Sequence, residues 1–208
     1  MTEQLHPEEK ITTIIYVRHG DTLQTEGGKL YNDHAAALTD KGRLQAESVA
    51  RFIPSEKPAV LLSSRADRAV STAQILSQTL QLQAEIIQEL DEACPGQWEG
   101  RSYLDLKKND SQLYQQWCSD PIRNAPPGGE SIQQLYLRVE NGIKRLITDL
   151  SGKRIVLVTH AGVIRSALVA ALGMPIDNFW RVSVPTGSIS KVDYTSGFAT
   201  VQYMSLRV

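Results

Sequence analysis

The chain has 208 residues, with 22 Lys or Arg against 23 Asp or Glu, so its formal net charge is −1 with histidine neutral. Proteins that bind duplex nucleic acid usually carry a basic excess, and this balance argues against such a partner. An apolar content of 41% indicates a folded chain rather than a disordered one. The length fits one domain over residues 1–208, with a core that needs no disulfide bonds.

No stretch of the sequence has the pattern of a targeting or membrane segment. The first ten residues are polar and acidic, and no apolar run approaches the roughly 20 residues of a membrane-spanning helix. We therefore expect a cytoplasmic protein without membrane contact. The two cysteines and four histidines show no HxxxH or CxxC spacing, and the sequence therefore does not predict a zinc site. We expect neither a metal nor another cofactor.

The first half of the chain alternates strand and helix patterns. In chain order it is predicted to form strand 11–17, loop 18–32, helix 40–53, strand 59–62 and helix 65–80. Thr39 and Asp40 are typical capping residues of the first helix, and Ser63 and Ser64 are candidate caps of the second.

The second half continues this alternation after a segment without strands. The predicted order is strand 84–87, loop 91–101, helix 103–117, turn 126–131, helix 132–150, strand 154–159, helix 161–173 and strands 188–192 and 198–206. Residues 91–131 form a candidate small cap of helices and loops. The whole pattern predicts an α/β fold, a three-layer α/β/α sandwich around a mostly parallel central sheet.

Two predicted strands end in a histidine that is followed by a glycine. The first strand leads into Arg18, His19 and Gly20, and the strand 154–159 leads into His160 and Gly162. Ligands of open α/β sheets bind beyond the carboxyl ends of the strands, so both histidines are candidate site residues.

Arg65 and Arg68 would lie in the first turn of the helix predicted over 65–80. Basic residues are disfavoured there because the N-terminal end of the helix dipole is positive. One interpretation is a solvated face or an ion pair with Asp67 or Glu92. The other is an arginine directed at an anion bound at the helix N-terminus, and the two interpretations stay open at this point.

Histidines and arginines at strand ends describe a pocket for a phosphoryl group, because guanidinium groups match phosphate oxygens. The chain has no GxxxxGK[ST] phosphate loop and no GxSxG nucleophile elbow. A C-x5-R phosphatase motif would need arginine at positions 100 or 124, where Gly100 and Asn124 stand. Histidine is therefore the remaining candidate nucleophile.

Six blocks of the sequence resemble, in the same order, signature segments of the histidine phosphatase superfamily, the phosphoglycerate mutase-like proteins. They are YVRHGDT at 16–22, LTDKGRLQA at 38–46, SSRADRAVSTA at 63–73, LDEACPGQWEG at 90–100, GES at 129–131 and VTHAGVIR at 158–165. The resemblance covers most of the chain and implies a phosphoglycerate mutase-like fold.

The resemblance also implies a role for each matching residue. His19 would attack phosphorus while its other ring nitrogen donates to a backbone carbonyl, and Glu92 would be the general acid and then the general base. The phosphate oxygens would be bound by the hydrogen-bond donors Arg18, Arg68 and His160. Thr25 and Ala161 stand where many members have asparagine and glycine, and they are predicted to contact the phosphate as well.

The segment after Glu92 looks like the phosphatase type rather than the longer mutases. We therefore expect a phosphomonoesterase that works without metal through a phosphohistidine. A phosphoglycerate mutase and a catalytically silent binding protein are the alternatives. Residues 117–120 and 172–180 resemble the α-ribazole phosphatase subgroup, so α-ribazole 5'-phosphate is a candidate among small phosphorylated metabolites, with sugar phosphates and phosphoserine left open. A homodimer is compatible with the sequence.

Four aromatic residues in the C-terminal two-thirds of the chain have two interpretations. Trp98, Tyr103, Trp117 and Trp180 are interpreted as core residues, because large aromatic side chains are more often buried than bound to a ligand. The alternative is that they line a substrate pocket.

Overall fold

The computed structural model describes residues 10–26, 29–31 and 35–208, so part of the predicted loop 18–32, together with His6 and His34, lies outside the described residues. All six predicted strands are confirmed. They are β1 (Thr12–Arg18), β2 (Val60–Ser63), β3 (Ala84–Ile86), β4 (Arg154–Thr159), β5 (Ile189–Tyr194) and β6 (Ala199–Leu206).

The described helices are α1 (Leu23–Glu26), α2 (Asp40–Phe52), α3 (Asp67–Leu80), α4 (Tyr103–Asn109), α5 (Ser111–Ser119), α6 (Ile132–Asp149) and α7 (Ala161–Ala171). Short 3₁₀ turns lie at Ile53–Glu56, Gln88–Leu90, Gly96–Trp98 and Ile176–Arg181. None of the described helices is long and apolar enough to cross a membrane.

The strands form one sheet in the order β3-β2-β4-β1-β5-β6. Strands β3, β2, β4 and β1 are parallel neighbours, whereas β5 is antiparallel to both β1 and β6. Among the described strands only β5 therefore runs against the others, which confirms the mostly parallel sheet.

The sheet is covered on both faces, because successive residues of a strand point to opposite sides. Ile14 and Tyr16 of β1 belong to a buried cluster that includes apolar residues of α6 and α7. Ile15 and Val17 belong to a second cluster with residues of α2 and α3. The predicted three-layer α/β/α architecture is therefore confirmed.

One short helix was not predicted. Helix α1 occupies part of the segment expected to be a loop. Its turn is closed by reciprocal hydrogen bonds, in which Thr22 N donates to Thr25 Oγ1 at 2.8 Å and Thr25 N donates to Thr22 Oγ1 at 3.2 Å. Four residues are too few to show helical periodicity, so this element could not be read from apolar spacing.

The start of α3 differs from the prediction, since the helix begins at Asp67 rather than Arg65. Ser63 and Ser64 are not its caps. The Ser63 hydroxyl donates to the Ser64 carbonyl, and the Ser64 hydroxyl bonds the ring of His160. Residue Ala66 stands at the cap position without a side-chain hydrogen bond.

The predicted helix over 103–117 is two helices, α4 and α5. Asp110 separates them with a φ of −141°, outside the helical range. Its carboxylate accepts a hydrogen bond from Arg101 Nη1 at 2.6 Å. Residues 91–131 contribute no strand to the six-stranded sheet, as expected of a small helical insertion.

The loop after β1 packs backbone against backbone on the start of α2. A Cβ on Gly20 would lie 2.2 Å from the Gly42 carbonyl oxygen, and a Cβ on Gly42 would lie 2.2 Å from the Asp21 carbonyl oxygen. Gln45 of the same helix accepts a hydrogen bond from Asp21 N at 2.9 Å. The LTDKGRLQA block thus fixes the loop that follows β1.

Candidate active site

The register of two parallel strands brings the two predicted site histidines together. Arg18 of β1 lies opposite Thr159 of β4, so the next residue of each strand, His19 and His160, leaves the sheet at the same level. Their ring centroids are 5.2 Å apart, and both residues are buried. The predicted convergence of these two side chains is therefore present in the fold.

The hydrogen bonds of His19 determine which ring nitrogen can react. Its Nδ1 lies 2.7 Å from the Gly20 carbonyl oxygen. Because a carbonyl oxygen only accepts, Nδ1 carries the proton and Nε2 keeps its lone pair. The Gly20 N–H in turn donates to Thr72 Oγ1 at 3.1 Å, which holds the loop against α3.

The surroundings of His19 favour its neutral form. Burial, followed by the positive charges of Arg18 and Arg68, holds the pKa of His19 well below its ordinary value of 6.5. The hydrogen bond to Gly20 acts in the opposite direction and does not outweigh them. At neutral pH the imidazole is therefore uncharged, as a nucleophile requires.

Arg18 extends from the end of β1 into the same region. Its Nη1 donates to the Val184 carbonyl at 2.6 Å. Its Nε is buried and has no hydrogen-bond partner among the described residues. Burial lowers the pKa of Arg18, and the nearby carboxylate of Glu92 offsets part of that effect. This arginine is therefore a half-buried cation with remaining capacity to bind an anion.

The two arginines at the start of α3 have different surroundings. Arg68 is 1% exposed, and its guanidinium carbon lies 4.5 Å from the centroid of the Tyr31 ring. Arg65 instead donates from N and Nε to the Asp91 carboxylate, at 2.9 and 2.7 Å. Arg65 is thus ion-paired, although with neither partner considered from the sequence, and Arg68 is the arginine near His19.

His160 is held by Ser64, which the sequence analysis predicted to be a helix cap. Its Nε2 lies 2.6 Å from the Ser64 hydroxyl. Ser64 follows β2, the strand that pairs with β4, so strand pairing again places the partners at one edge. The sequence signal for this contact was the pair Ser63 and Ser64 in the SSRADRAVSTA block.

Glu92 is held by backbone donors at the same edge of the sheet. Its Oε2 accepts from Gly162 N at 3.0 Å, and its Oε1 accepts from Ala93 N at 2.9 Å. A Cβ on Gly162 would lie 2.2 Å from Oε1, so only glycine permits this approach. The glycine of the VTHAGVIR block therefore seats the carboxylate against the first turn of α7.

Arg138 of α6 fixes the loop that carries Glu92, and the sequence interpretation missed it. Its Nη1 donates to the carbonyls of Glu89 and Asp91, at 2.8 and 3.1 Å. Its Nε and Nη2 donate to the two carboxylate oxygens of Glu130, at 2.9 and 2.7 Å. Both anchored carbonyls lie within three residues before Glu92 in the chain, so this arginine ties α6 to that loop.

The two remaining predicted phosphate contacts lie in different places. Ala161 lines the cavity that also contains Arg18 and Glu92. The hydroxyl of Thr25 donates to the Asp21 carboxylate at 3.0 Å and to the Thr22 carbonyl at 2.7 Å. Its described hydrogen bonds thus stay within the loop after β1, and its contact with phosphate remains a prediction.

A cavity of about 250 Å³ opens beside these residues. Arg18, Glu92 and Ala161 line one part of it, and Tyr103 and Trp180 line another. This volume fits a small organic molecule. A larger cavity of about 750 Å³ beside α6 and α7 contains none of the predicted site residues.

Half-buried Arg18 and buried Arg68 act on a neutral histidine, and Glu92 lines a cavity together with Arg18. These groups are of the kinds that phosphoryl transfer uses. The model of the histidine phosphatase superfamily (branch 1) matches residues 14–206. The chain belongs to this superfamily.

Two similar proteins that are named phosphatases agree with this assignment. An adenosylcobalamin/alpha-ribazole phosphatase of Escherichia coli strain K12 is 34% identical over 192 residues, which cover 92% of this chain and 94% of the relative. A glucosyl-3-phosphoglycerate phosphatase of Mycolicibacterium vanbaalenii is 30% identical over 190 residues, covering 88% and 84%.

The crystal structure of the alpha-ribazole phosphatase from Shigella flexneri superposes with a TM-score of 0.87 at 31% identity, covering 94% of this chain and 97% of that one. The chain is accordingly a phosphoric monoester hydrolase. Within the described part of the chain, no group of three or more His, Cys, Asp or Glu residues is placed to hold a metal ion.

The depressed pKa of His19 predicts a pH-dependent stability. The unfolded chain takes up a proton near pH 6.5 and the folded chain does so only at lower pH. Stability should therefore fall as the pH drops below 6.5, by at most about 1.4 kcal/mol per pH unit from this group. The free energy of unfolding, measured by urea denaturation at several pH values between 7.5 and 5, gives this slope. His19→Asn keeps a donor for Gly20 without titrating, so it should flatten this slope; an identical slope would contradict the prediction.

The close contact at Gly162 predicts that Gly162→Ala displaces the Glu92 carboxylate. Because a misplacement of about 1 Å near the reacting atoms can cost about 10²-fold, we expect a loss of that order in kcat on an alkyl phosphate. The control is the double variant with Glu92→Gln. If Gly162→Ala acts through Glu92, the double variant is no slower than Glu92→Gln alone; additive losses would refute this explanation.

Proposed function

We propose that this chain hydrolyses α-ribazole 5'-phosphate through a phosphohistidine on His19. The observation that carries the mechanism is the hydrogen bond from His19 Nδ1 to the Gly20 carbonyl, because it leaves Nε2 with a free lone pair near the charges of Arg18 and Arg68. The choice of substrate is supported by two named relatives, which are 34% and 31% identical and align with 92% and 94% of this chain.

In the first step, Nε2 of His19 attacks phosphorus and the bond from phosphorus to the ester oxygen breaks. Glu92 in its protonated form gives a proton to the leaving oxygen, so the alcohol departs neutral. The negative charge on the transferring oxygens is bound by Arg18, Arg68 and His160. The proton stays on Nδ1, and its hydrogen bond to the Gly20 carbonyl stabilises the positively charged ring of the intermediate.

In the second step, a water molecule attacks the phosphohistidine. Glu92, now a carboxylate, accepts a proton from that water as the oxygen bonds to phosphorus. The bond between phosphorus and Nε2 breaks, inorganic phosphate leaves, and His19 returns to its neutral form. The two roles of Glu92 are consistent with its position at the cavity, half-buried between two backbone donors.

We further propose that residues 1–208 act as one catalytic domain in which residues 91–131 cap the cavity. Tyr103, Trp117 and Pro126 of this segment all contribute to its lining. The segment would then shield the reacting phosphate from bulk water, which strengthens the electrostatic interactions inside the site.

The test is a panel of phosphorylated metabolites assayed with the purified chain in the presence of a chelator. We expect the highest kcat/KM on α-ribazole 5'-phosphate, ahead of phosphoserine and glucosyl-3-phosphoglycerate. Rapid quenching with labelled substrate should trap a phosphorylated enzyme in wild type and none in His19→Ala, which should stay folded by circular dichroism. Full loss of activity in the chelator, or a trapped intermediate in His19→Ala, would reject the mechanism.

The acid role of Glu92 predicts a dependence on the leaving group. An alkoxide leaving group needs protonation more than a nitrophenolate does, and general acid catalysis typically contributes about 10²-fold to 10⁴-fold. Glu92→Gln should therefore slow an alkyl phosphate by about 10²-fold or more and p-nitrophenyl phosphate much less. Glu85→Gln, which changes an exposed carboxylate of β3 that does not line this cavity, is the control. Equal slowing of both substrates by Glu92→Gln would argue against the acid role.

A further inference from the structure

Large aromatic side chains line the active-site cavity without being buried. Tyr103 of α4 and Trp180 of the 3₁₀ turn Ile176–Arg181 are 39% and 44% exposed, and Trp117 of α5 lies beside them. The interpretation of these residues as core is therefore wrong for Tyr103 and Trp180. It holds for Trp98, which is 1% exposed and packs edge-on against Trp117 with ring centroids 5.9 Å apart.

On the cap side, the rings form a stack that reaches the cavity. Tyr103 and Trp117 lie nearly parallel, at an interplanar angle of 23° and a centroid distance of 6.1 Å. Tyr114 continues the stack on Trp117 at 28° and 6.1 Å. The stack is anchored by buried Trp98, so the ring of Tyr103 is held in place while part of it remains open to a ligand.

On the side of α7, an arginine lies among rings. The guanidinium carbon of Arg165 is 5.3 Å from the Trp180 ring centroid and 5.6 Å from that of Phe179. Its Nε donates to the Val182 carbonyl at 2.8 Å, and its Nη atoms make no hydrogen bond to a described residue. Arg165 therefore presents a planar cation at the cavity, held by one hydrogen bond and two rings.

The cap side and the side of α7 belong to one cavity, and Glu92 lies in it with them. Partial burial raises the pKa of Tyr103, the charge of Arg165 lowers it in part, and Cys118 and then Glu92 raise it further. Tyr103, Arg165 and Glu92 thus lie within electrostatic range of one another. A leaving group protonated by Glu92 would extend between these walls.

We propose that Tyr103, Trp117, Arg165 and Trp180, here called the aromatic cleft, select phosphate monoesters whose alcohol carries a planar aromatic ring. This inference rests on the proposed function, since it takes Glu92 as the residue beside the leaving group. Planar rings and a guanidinium offer faces on which another planar ring stacks, whereas a saturated ring of equal size gains only apolar burial. The whole cavity, of which the aromatic cleft is one part, measures about 250 Å³ and so has room for one small ring system beside the phosphate.

The test compares 2-phenylethyl phosphate with 2-cyclohexylethyl phosphate. Both are primary alkyl phosphates of similar size, so the phosphoryl chemistry and the need for Glu92 are the same. Ring stacking adds selectivity equivalent to about tenfold or less for one aromatic contact. We expect wild type to prefer the phenyl compound by about fivefold to tenfold in kcat/KM, chiefly through KM.

Single variants assign that preference to the cleft. Trp180→Ala and Tyr103→Ala should each reduce the preference to about twofold or less, because they lower kcat/KM on the phenyl compound more than on the cyclohexyl compound. Trp180→Phe retains a ring and should retain most of the preference. Phe198→Ala is the matched control, because Phe198 is 72% exposed on the turn between β5 and β6 and does not line this cavity.

The outcomes separate the inference from the function on which it rests. Hydrolysis of both esters by wild type without a preference would overturn the inference and leave the phosphatase assignment intact. Equal losses on both esters in Trp180→Ala would also overturn it, because they indicate a general structural role. Failure of wild type to hydrolyse either ester, with no trapped phosphohistidine, would reject the proposed function and the inference together.

Discussion

The parallel pairing of β1 with β4 is the constraint on which the rest of the site depends. It sets Arg18 opposite Thr159, so the next residues along the two strands emerge side by side at one edge of the sheet. Both strands are buried on both faces, so a shift in register by one residue would turn each side chain toward the opposite helical layer. Such a shift would disrupt the packing of the core. The hydrophobic core therefore fixes the spacing of the two histidines.

That position also determines the charge state of the site. Arg18 and Arg68 are largely or fully removed from water, and a buried cation is costly unless something offsets it. Their charges act on His19, whose neutral form they favour. A phosphate dianion would bring negative charge to both arginines when it binds. The same burial that keeps the nucleophile uncharged thus makes the site ready for an anion.

Glycines set the close contacts around this edge. Gly20 and Gly42 let the loop after β1 touch the start of α2, and Gly162 lets the Glu92 carboxylate reach the backbone of α7. At each position a Cβ would lie 2.2 Å from an oxygen atom. These residues recur in the motif blocks because the backbone must approach more closely than a side chain allows. The chemistry is therefore placed by backbone packing as much as by the reactive side chains.

The sequence alone determined the six strands and the long helices, because the spacing of apolar residues can be read within a short segment without knowledge of its tertiary contacts. It also pointed to His19, His160 and Arg68 through their places after strands, and resemblance to a family added Glu92. Only the tertiary structure decided the contacts between distant segments, including Ser64 with His160, Arg65 with Asp91 and Arg138 with the loop of Glu92. These depend on strand order and helix packing, which no local pattern encodes. The exposure of Tyr103 and Trp180 was also decided only by the tertiary structure. Hydrophobicity predicts that an aromatic ring is buried, but it does not predict which rings lie beside a cavity.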